Sequence, residues 1–355
     1  MEIKVQLTDH PRQKPTDETK LGFGHVFTDH MFLMDYDEGQ GWHDPRIVPY
    51  GPIPMDPSSS CLHYAQEIFE GMKAYRTADG KIQFFRPQEN FKRLNNSCRR
   101  LVIPPMDESF LLEALKKFVT IEKDWVPSAP GTSLYIRPFI IANQDFLGVH
   151  PSIRYIYCVI LSPSGAYYAS GLNPVKIYVE TKYVRVSKGG MGMVKTGGNY
   201  AASLLAQEEA EKQGYSQVLW LDGVERKYVE EVGSMNVFFK INGEIITPAL
   251  TGSILPGITR KSVIEMLKSW GMPVNERLLP LQELVDAVEA GTLEEAWGTG
   301  TACVVSPIGE LKCGDKHVTI NNNEIGPVSQ KLYDTLTGIQ WGKIPDPFGW
   351  IEPCC

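Results

Sequence analysis

The stretch "QVLWLDGVERKYVEEVGSMNVFFKINGEIITP", residues 217–248, limits the fold more than any other part of the chain. Asp222-Gly223 and Asn242-Gly243 each separate apolar runs rich in β-branched and aromatic residues, and both dipeptides accept the positive φ of tight hairpins. Successive hairpins make neighbouring strands antiparallel, so the segment predicts a meander. A repeating strand–helix–strand crossover does not fit it.

Upstream, "VKIYVET" opens a second domain, and "NYAASLLAQEEAEKQG" predicts a helix with Asn199 as its cap and Gly214 as its stop. Helices are expected at about 257–270, 281–290 and 326–340, with "EEAWGTGTACVVSP" as a strand and tight turn. The first half of the chain reads differently. Residues 21–85 carry short aromatic-rich strand patterns, and residues 86–101 and 107–125 predict helices, the former with Pro87 in its first turn. Apolar runs at 133–143 and 153–163 predict buried strands. The Ser-, Gly- and Pro-rich segment 164–174 is the expected linker, which puts the domains at 1–163 and 175–355.

A length of 355 residues is enough for two cores, and 43% hydrophobic with 22% charged residues excludes a wholly disordered chain. The net charge of -7, without a basic run, argues against nucleic acid as a partner. No apolar run matches a bilayer span, and the polar first residues hold no signal-peptide core, so a soluble cytoplasmic protein acting on small molecules is expected. Seven scattered cysteines read as reduced thiols. No His/Cys spacing suits zinc, and His25 and His30 lie close together without further ligands, so no metal is expected.

"GGMGMVKTGGNY", residues 189–200, then raises a chemical question, because it sets Lys195 among five glycines and beside Met191, Met193 and Val194. Such neighbours suit close backbone approach and poor solvation rather than an exposed loop tip. A desolvated amine has a lowered pKa and serves as a nucleophile toward carbonyls and as a base. The natural partner is pyridoxal phosphate, an aldehyde with a phosphate handle, and the rest of the chain must then supply a phosphate cup and an acid for the ring nitrogen.

Both have candidates. Pro256-Gly257 precedes a helical pattern, so the amides of Ile258 and Thr259 would meet an anion at a helix N-terminus, with the Thr259 hydroxyl as a further donor. "GTGTA", 298–302, offers more backbone donors and the Thr301 hydroxyl. Glu230 and Glu231 stand beside an apolar strand, where a period of two lets only one of them face inward. A cation for the phosphate can come from Arg86, Lys92, Arg93, Arg99 or Arg100, among which periodicity does not choose. Two rivals fail. A dinucleotide fingerprint at Gly190–Lys195 has lysine where a small residue is needed and lacks the βαβ context, and a P-loop needs Gly-Lys-Ser/Thr, which is missing.

Taken together, "YAQEIFEGMKAYR", "SLYIRP", "GGNYAASLLAQ", "QVLWLDG", "EEVGSMNVFF", "LPGITR" and "GTGTA" resemble the branched-chain amino-acid aminotransferases of the pyridoxal-phosphate fold-type IV class, from about Phe23 to the final helix. The resemblance implies an α+β, two-domain fold like that of D-amino-acid aminotransferase. Its N-terminal α/β domain is the smaller, and its C-terminal, cofactor-binding domain carries an antiparallel-rich, barrel-like sheet.

It also implies roles. Lys195 is the Schiff-base lysine, Tyr200 bonds the cofactor phenolate oxygen, and Glu231 rather than Glu230 partners the ring nitrogen. Arg93, Leu255, Gly257, Ile258, Thr259 and Thr301 surround the phosphate, and Arg185 lies near the cofactor. Phe23, Phe69, Tyr135, Tyr167 and Ser234 line the aliphatic pocket, with Arg137 beside it. Tyr64 and the Thr301 and Ala302 amides bind the substrate carboxylate. Leu147 and Val149 reach into a partner subunit's pocket, which implies a homodimer with shared sites.

The expected activity is ping-pong exchange of an amino group between L-leucine, L-isoleucine or L-valine and 2-oxoglutarate. A D-amino-acid aminotransferase or aminodeoxychorismate lyase would share Lys195 and Glu231, but "EGMKAY" and "SLYIRP" count against both. A non-catalytic cofactor-binding protein is the reading from another class; retention of lysine, carboxylate and both phosphate turns counts against it. Some relatives carry Cys-x-x-Cys after the "GTGTA" turn as a redox switch, whereas this chain reads "CVVS", Cys303 to Ser306, which rules out a disulfide there.

Overall fold

The computed structural model describes residues 1–165 and 172–355, so Tyr167 and the middle of the expected linker lie outside the described residues. Contacts divide the chain into two units, Met1–Ala169 with Val194–Gly197 and Gly338–Cys355, and Ser170–Met193 with Gly198–Thr337.

The first unit is built on β1 (Lys4–Val5), β2 (His30–Asp37), β3 (Gly41–Pro49), β4 (Glu67–Phe69), β5 (Met72–Arg76), β6 (Ile82–Phe85), β7 (Ser133–Ala142) and β8 (Arg154–Ser164). Its helices are α1 (Ser60–Tyr64), α2 (Pro87–Arg100) and α3 (Glu108–Ile121). The strands run in the order β1-β3-β2-β8-β7-β5-β6, with β4 beside β7. On β2, Phe32 and Met34 enter the core that α2 and α3 complete, while Met31 and Leu33 pack on the other face with Ile156 and Cys158. Burial of both faces is why these strands read as unbroken apolar runs.

The second unit holds β9 (Val175–Val179), β10 (Gln217–Leu221), β11 (Val229–Val232), β12 (Met235–Ile241), β13 (Glu244–Pro248), β14 (Val274–Arg277), β15 (Leu293–Gly300), β16 (Val304–Cys313) and β17 (Lys316–Thr319). The order β11-β10-β9-β16-β15-β12 closes on itself through a β11–β12 pairing, which makes a six-stranded barrel. Within it Phe238 and Trp297, register partners on β12 and β15, stack at 5.6 Å. Beyond α4 (Gly197–Ala201), the helices are α5 (Leu204–Lys212), α6 (Ile258–Ser269), α7 (Leu281–Glu289) and α8 (Pro327–Gln340).

The expected meander is present from β10 to β13, yet three parallel pairings, β9–β10, β9–β16 and β13–β14, stand beside it. Asn242 and Gly243 both take positive φ between β12 and β13, as a two-residue hairpin requires. Asp222-Gly223 does not make the same turn. Asp222 follows β10 directly, and its carboxylate accepts the amides of Val224, Glu225, Lys227 and Tyr228, which organises a longer loop into β11. The single helix expected after residue 199 is two, α4 and α5, and Asn199 is no cap: it lies inside α4 and donates to the Met191 carbonyl.

The division also differs from the expected 1–163 and 175–355. β18 (Ile351–Pro353) pairs with β6, which returns the chain end to the first unit and makes that unit the longer. The Lys195 segment belongs to the first unit too, through backbone bonds to residues far away in sequence that no local pattern reports. His30, which lacked partners in the sequence, pairs through Nδ1 with Glu122 and accepts the Thr8 amide at 2.9 Å on Nε2.

Candidate active site

Strand β4 fixes the lysine. The Phe69 amide donates to the Lys195 carbonyl at 3.0 Å, the Thr196 hydroxyl to the Glu67 carbonyl at 2.7 Å, and the Lys195 amide to Ser97 Oγ at 3.1 Å. The Gly197 amide donates to the Glu67 carboxylate, and a Cβ on Gly197 would stand 2.2 Å from that oxygen. That contact explains the glycine after Lys195-Thr196.

The lysine is half-buried, with Nζ 4.7 Å from the centre of the Phe69 ring. Desolvation, followed by the nearby Arg93 charge, lowers its pKa to about 8 against the opposing effect of Glu70. At pH 7 about a tenth of the amine is then unprotonated, against roughly one part in three thousand for an ordinary lysine. A nucleophilic amine is therefore at hand.

Helix α2 places Asn90, Arg93 and Ser97 on one face by its 3.6-residue period. Arg93 grips the fully buried Glu70 with two bonds, Nε to Oε1 and Nη2 to Oε2, both 2.8 Å, and Asn90 donates to the same carboxylate at 2.8 Å. Among the five cationic candidates, Lys92, Arg99 and Arg100 are exposed, and Arg86 lies over the Trp350 ring at 5.2 Å. Arg93 is the one whose charge acts on Lys195.

Phe23, Phe69, Tyr135 and Arg137 come together around that amine. Phe23 and Tyr135 meet edge to face at 4.9 Å, and the Arg137 guanidinium lies 4.8 Å from the Phe69 ring and 5.3 Å from the Tyr135 ring. Arg137 Nη2 donates to the Tyr135 hydroxyl at 3.1 Å. Tyr64 sits apart from this group of contacts, donating from its hydroxyl to the Leu147 carbonyl at 2.5 Å. Leu147 and Val149 are exposed.

In the second unit the barrel presents its own set. Glu230 and Glu231 take opposite faces of β11, as the period of two requires, and both are buried. Each face is covered: Ser253 bonds Glu230, while Arg185 and Asn236 bond Glu231. Arg185 Nη2 lies 2.5 Å from Glu231 Oε2 and 2.7 Å from the Ser253 carbonyl, so the buried carboxylate has a compensating charge.

Asn236 Nδ2 donates to Glu231 Oε1 at 3.0 Å and to the Leu255 carbonyl at 2.9 Å. The sequence reading missed this residue, although the signal was present. A two-residue turn at Gly233-Ser234 pairs Val232 with Met235 and so Glu231 with Asn236. Ser234, expected in the substrate pocket, is the exposed second residue of that turn. Gly257 caps α6 without any side-chain bond, leaving the Ile258 and Thr259 amides at an uncapped helix N-terminus; a Cβ there would lie 2.0 Å from Asn236 Oδ1. Thr301 and Ala302 follow β15 in the turn to β16, and Tyr200 lies on α4. Cys303 donates its thiol to Met235 Sδ at 3.2 Å, and Ser306 is fully buried.

Each unit, taken by itself, holds groups that suit part of a phosphate-bearing aldehyde. Among the described residues, Arg137 Nε in the first unit and Arg185 Nε and Thr299 Oγ1 in the second are buried without hydrogen-bond partners, a feature that marks places where polar groups await a ligand. An uncapped helix N-terminus suits a phosphate, the Glu231 carboxylate suits a ring N–H, and the Lys195 amine suits an aldehyde. Among the described residues, no helix is long and apolar enough to cross a membrane.

Comparison with known proteins agrees. The family model "Amino-transferase class IV" matches residues 67–311. Branched-chain-amino-acid aminotransferase 2 of Bacillus subtilis is 58% identical over 98% of this chain and 96% of its own. Among solved structures, the branched-chain aminotransferase of Thermoproteus uzoniensis with norvaline shares 26% identity over 92% of this chain and 100% of its own, at a TM-score of 0.76. The branched-chain amino acid aminotransferase of Escherichia coli shares 25% over 92% and 99%, at 0.72, and another solved with pyridoxamine 5'-phosphate shares 28% over 91% and 98%, at 0.75. Similarity of this extent, on the fold-type IV architecture and on the residues described, means that the chain belongs to the class IV aminotransferases and, within them, to the branched-chain-amino-acid aminotransferase family.

Proposed function

We propose that this protein is a pyridoxal-phosphate-dependent transaminase that exchanges the amino group of L-leucine, L-isoleucine or L-valine with 2-oxoglutarate. The observation that carries the reading is Lys195, an amine with a pKa near 8 held between an aromatic wall and the Arg93–Glu70 pair. When bound, the cofactor supplies an aldehyde and an electron-withdrawing ring that acidify the α-proton of the amino acid.

The chain's own residues then have the following tasks. Lys195 would hold the cofactor at its aldehyde, and the Lys195 Nζ would carry the α-proton of the amino acid. Glu231 holds the proton on the ring nitrogen, and Arg185 and Asn236 keep that carboxylate oriented. Arg93, with Leu255, Gly257, Ile258, Thr259 and Thr301, holds the phosphate, and Tyr200 bonds the phenolate oxygen. Phe23, Phe69, Tyr135, Tyr167 and Ser234 line the pocket for the aliphatic side chain, from which the aromatic rings exclude water, while Tyr64, Thr301 and Ala302 bind the carboxylate.

One pocket must accept an aliphatic chain and the γ-carboxylate of 2-oxoglutarate in turn. Arg137 meets both demands, since its guanidinium lies against Phe69 and Tyr135 and its Nε has no partner among the described residues. The exposed Leu147 and Val149 suit a homodimer in which each subunit completes the other's pocket, and the free cysteines are in keeping with a cytoplasmic location.

The test is the visible spectrum of the purified protein before and after L-leucine without oxo acid. Loss of the cofactor band with L-leucine, and its return with 2-oxoglutarate, is expected. A response to D-alanine alone would overturn the substrate assignment, and an absent band after cofactor addition would overturn the reaction.

A further inference from the structure

Strand β11 carries two buried carboxylates, and the proposed reaction uses only Glu231. Glu230 leaves the opposite face. Its Oε1 accepts from the Ser253 hydroxyl, whereas its Oε2 is buried with no hydrogen-bond partner. Beside it lies a cavity of about 210 Å³ within the second unit. Glu230 and Ser253 form its buried end, Val229, Pro248 and Ile254 give it an apolar wall, and Lys188 stands at its exposed end. Among the described residues, none assigned above to the cofactor or the amino-acid substrate lines this cavity.

Chemistry narrows the occupant. A buried carboxylate oxygen without a donor costs free energy, and a donor that also carries positive charge relieves most of it. A metal ion is poorly served, because the Ser253 hydroxyl takes one Glu230 oxygen, backbone amides take both oxygens of Asp222, and Glu225, the third carboxylate of the lining, is exposed; among the described residues no group of three His, Cys, Asp or Glu could hold a metal. The volume exceeds the ~30 Å³ share of one water and falls below the roughly 300–1,000 Å³ of drug-sized sites, so a ligand of a few carbon atoms fits. The wall demands that those carbons be apolar.

We propose that this cavity is a second ligand site, separate from the transamination site, which binds a short-chain aliphatic ammonium compound with its head on Glu230 Oε2. The chain of the ligand lies against Val229, Pro248 and Ile254. Two sources share that chemistry, a simple alkylamine and an aliphatic amino acid. Lys188 separates them, because only an amino acid brings a carboxylate for it to pair.

The experiment is calorimetric titration of the holoenzyme with 3-methylbutan-1-amine and with α-methylleucine, which has no α-proton to lose. The same titrations are run on Glu230→Gln, which removes the charge, and Ala249→Phe, which fills the cavity. Uptake of the amine that weakens at least tenfold in both variants is expected, with 3-methylbutan-1-ol giving no heat. Tighter binding of α-methylleucine, lost in Lys188→Gln, identifies an amino acid as the ligand; tighter binding of the amine identifies an alkylamine. Equal uptake by wild type and both variants, or none by wild type, overturns the proposal. Because these heats do not depend on turnover, failure here leaves the transaminase reading intact.

Discussion

The structure makes a quantitative statement about two residues, Asn236 and Gly257. Gly257 has ordinary extended backbone, φ -67° and ψ 135°, which alanine adopts without strain. What forbids alanine is space, since its Cβ would stand 2.0 Å from Asn236 Oδ1. Asn236 cannot swing aside without giving up its bonds to Glu231 and Leu255. Overpacking of this kind costs about 1–3 kcal/mol. Asn236→Ala alone removes one bond to a charged acceptor, about 1.5–3 kcal/mol, and one to a carbonyl, about 0.5–1.5 kcal/mol. In the Asn236→Ala background, however, the clash at residue 257 disappears. The double variant is therefore expected to be less destabilised than the sum of the singles by about 1–3 kcal/mol. Scanning calorimetry at fixed protein and cofactor concentration reads this as roughly 2–4 °C of melting temperature per kcal/mol for a unit of this size. If Gly257→Ala lowered the melting temperature equally in both backgrounds, the asparagine would not be what excludes a side chain at 257, and the argument would fail.

Further outcomes follow from other groups. Lys195 has its folded pKa lowered to about 8, so the unfolded chain binds more protons between that pH and the ordinary lysine value. For the cofactor-free protein, Lys195→Met should therefore melt higher than wild type at pH 7, and the gap should narrow as the pH rises through that window; a gap independent of pH would contradict the assigned cause. Arg93→Ala strands the fully buried Glu70 charge and should cost about 3–5 kcal/mol in thermal denaturation, much of it recovered when Glu70→Gln is added. Among the cysteines, Cys98 and Cys158 have thiols pushed up to about 12 by burial, whereas Cys355 is exposed. A disulfide reagent at pH 8 should label Cys355 first and leave Cys98 and Cys158 unmodified until the protein unfolds, as peptide mapping would report.

What was readable in the sequence was whatever depends on neighbours along the chain. α2, α3, α6, α7 and α8 lie within a few residues of their expected limits, because helix periodicity and Pro87 are local signals. Asn242-Gly243 gave its hairpin for the same reason. Asp222-Gly223 misled because the aspartate's carboxylate found four backbone amides, and that choice depends on the loop's whole course. Asn236 was legible in principle, since a two-residue turn dictates that it faces Glu231. Arg93 was reached through the family resemblance and not through helix periodicity, because its burial and its pairing with Glu70, which separate it from the other cations of α2, are tertiary.

By itself, then, the sequence determined the kinds of chemistry available: a lysine among glycines, a carboxylate pair on a strand, and a Pro-Gly turn opening a helix. Tertiary structure decided which groups act and in what state. It set the Lys195 amine over Phe69, where desolvation first and the Arg93 charge second lower its pKa to about 8, and it buried both Glu230 and Glu231 on opposite faces of one strand. It also returned β18 to β6, so the two units do not coincide with two halves of the chain. The reason is the range of the forces involved. Capping, turn and periodicity preferences act over a few residues, whereas desolvation and charge pairing depend on groups that only folding brings close.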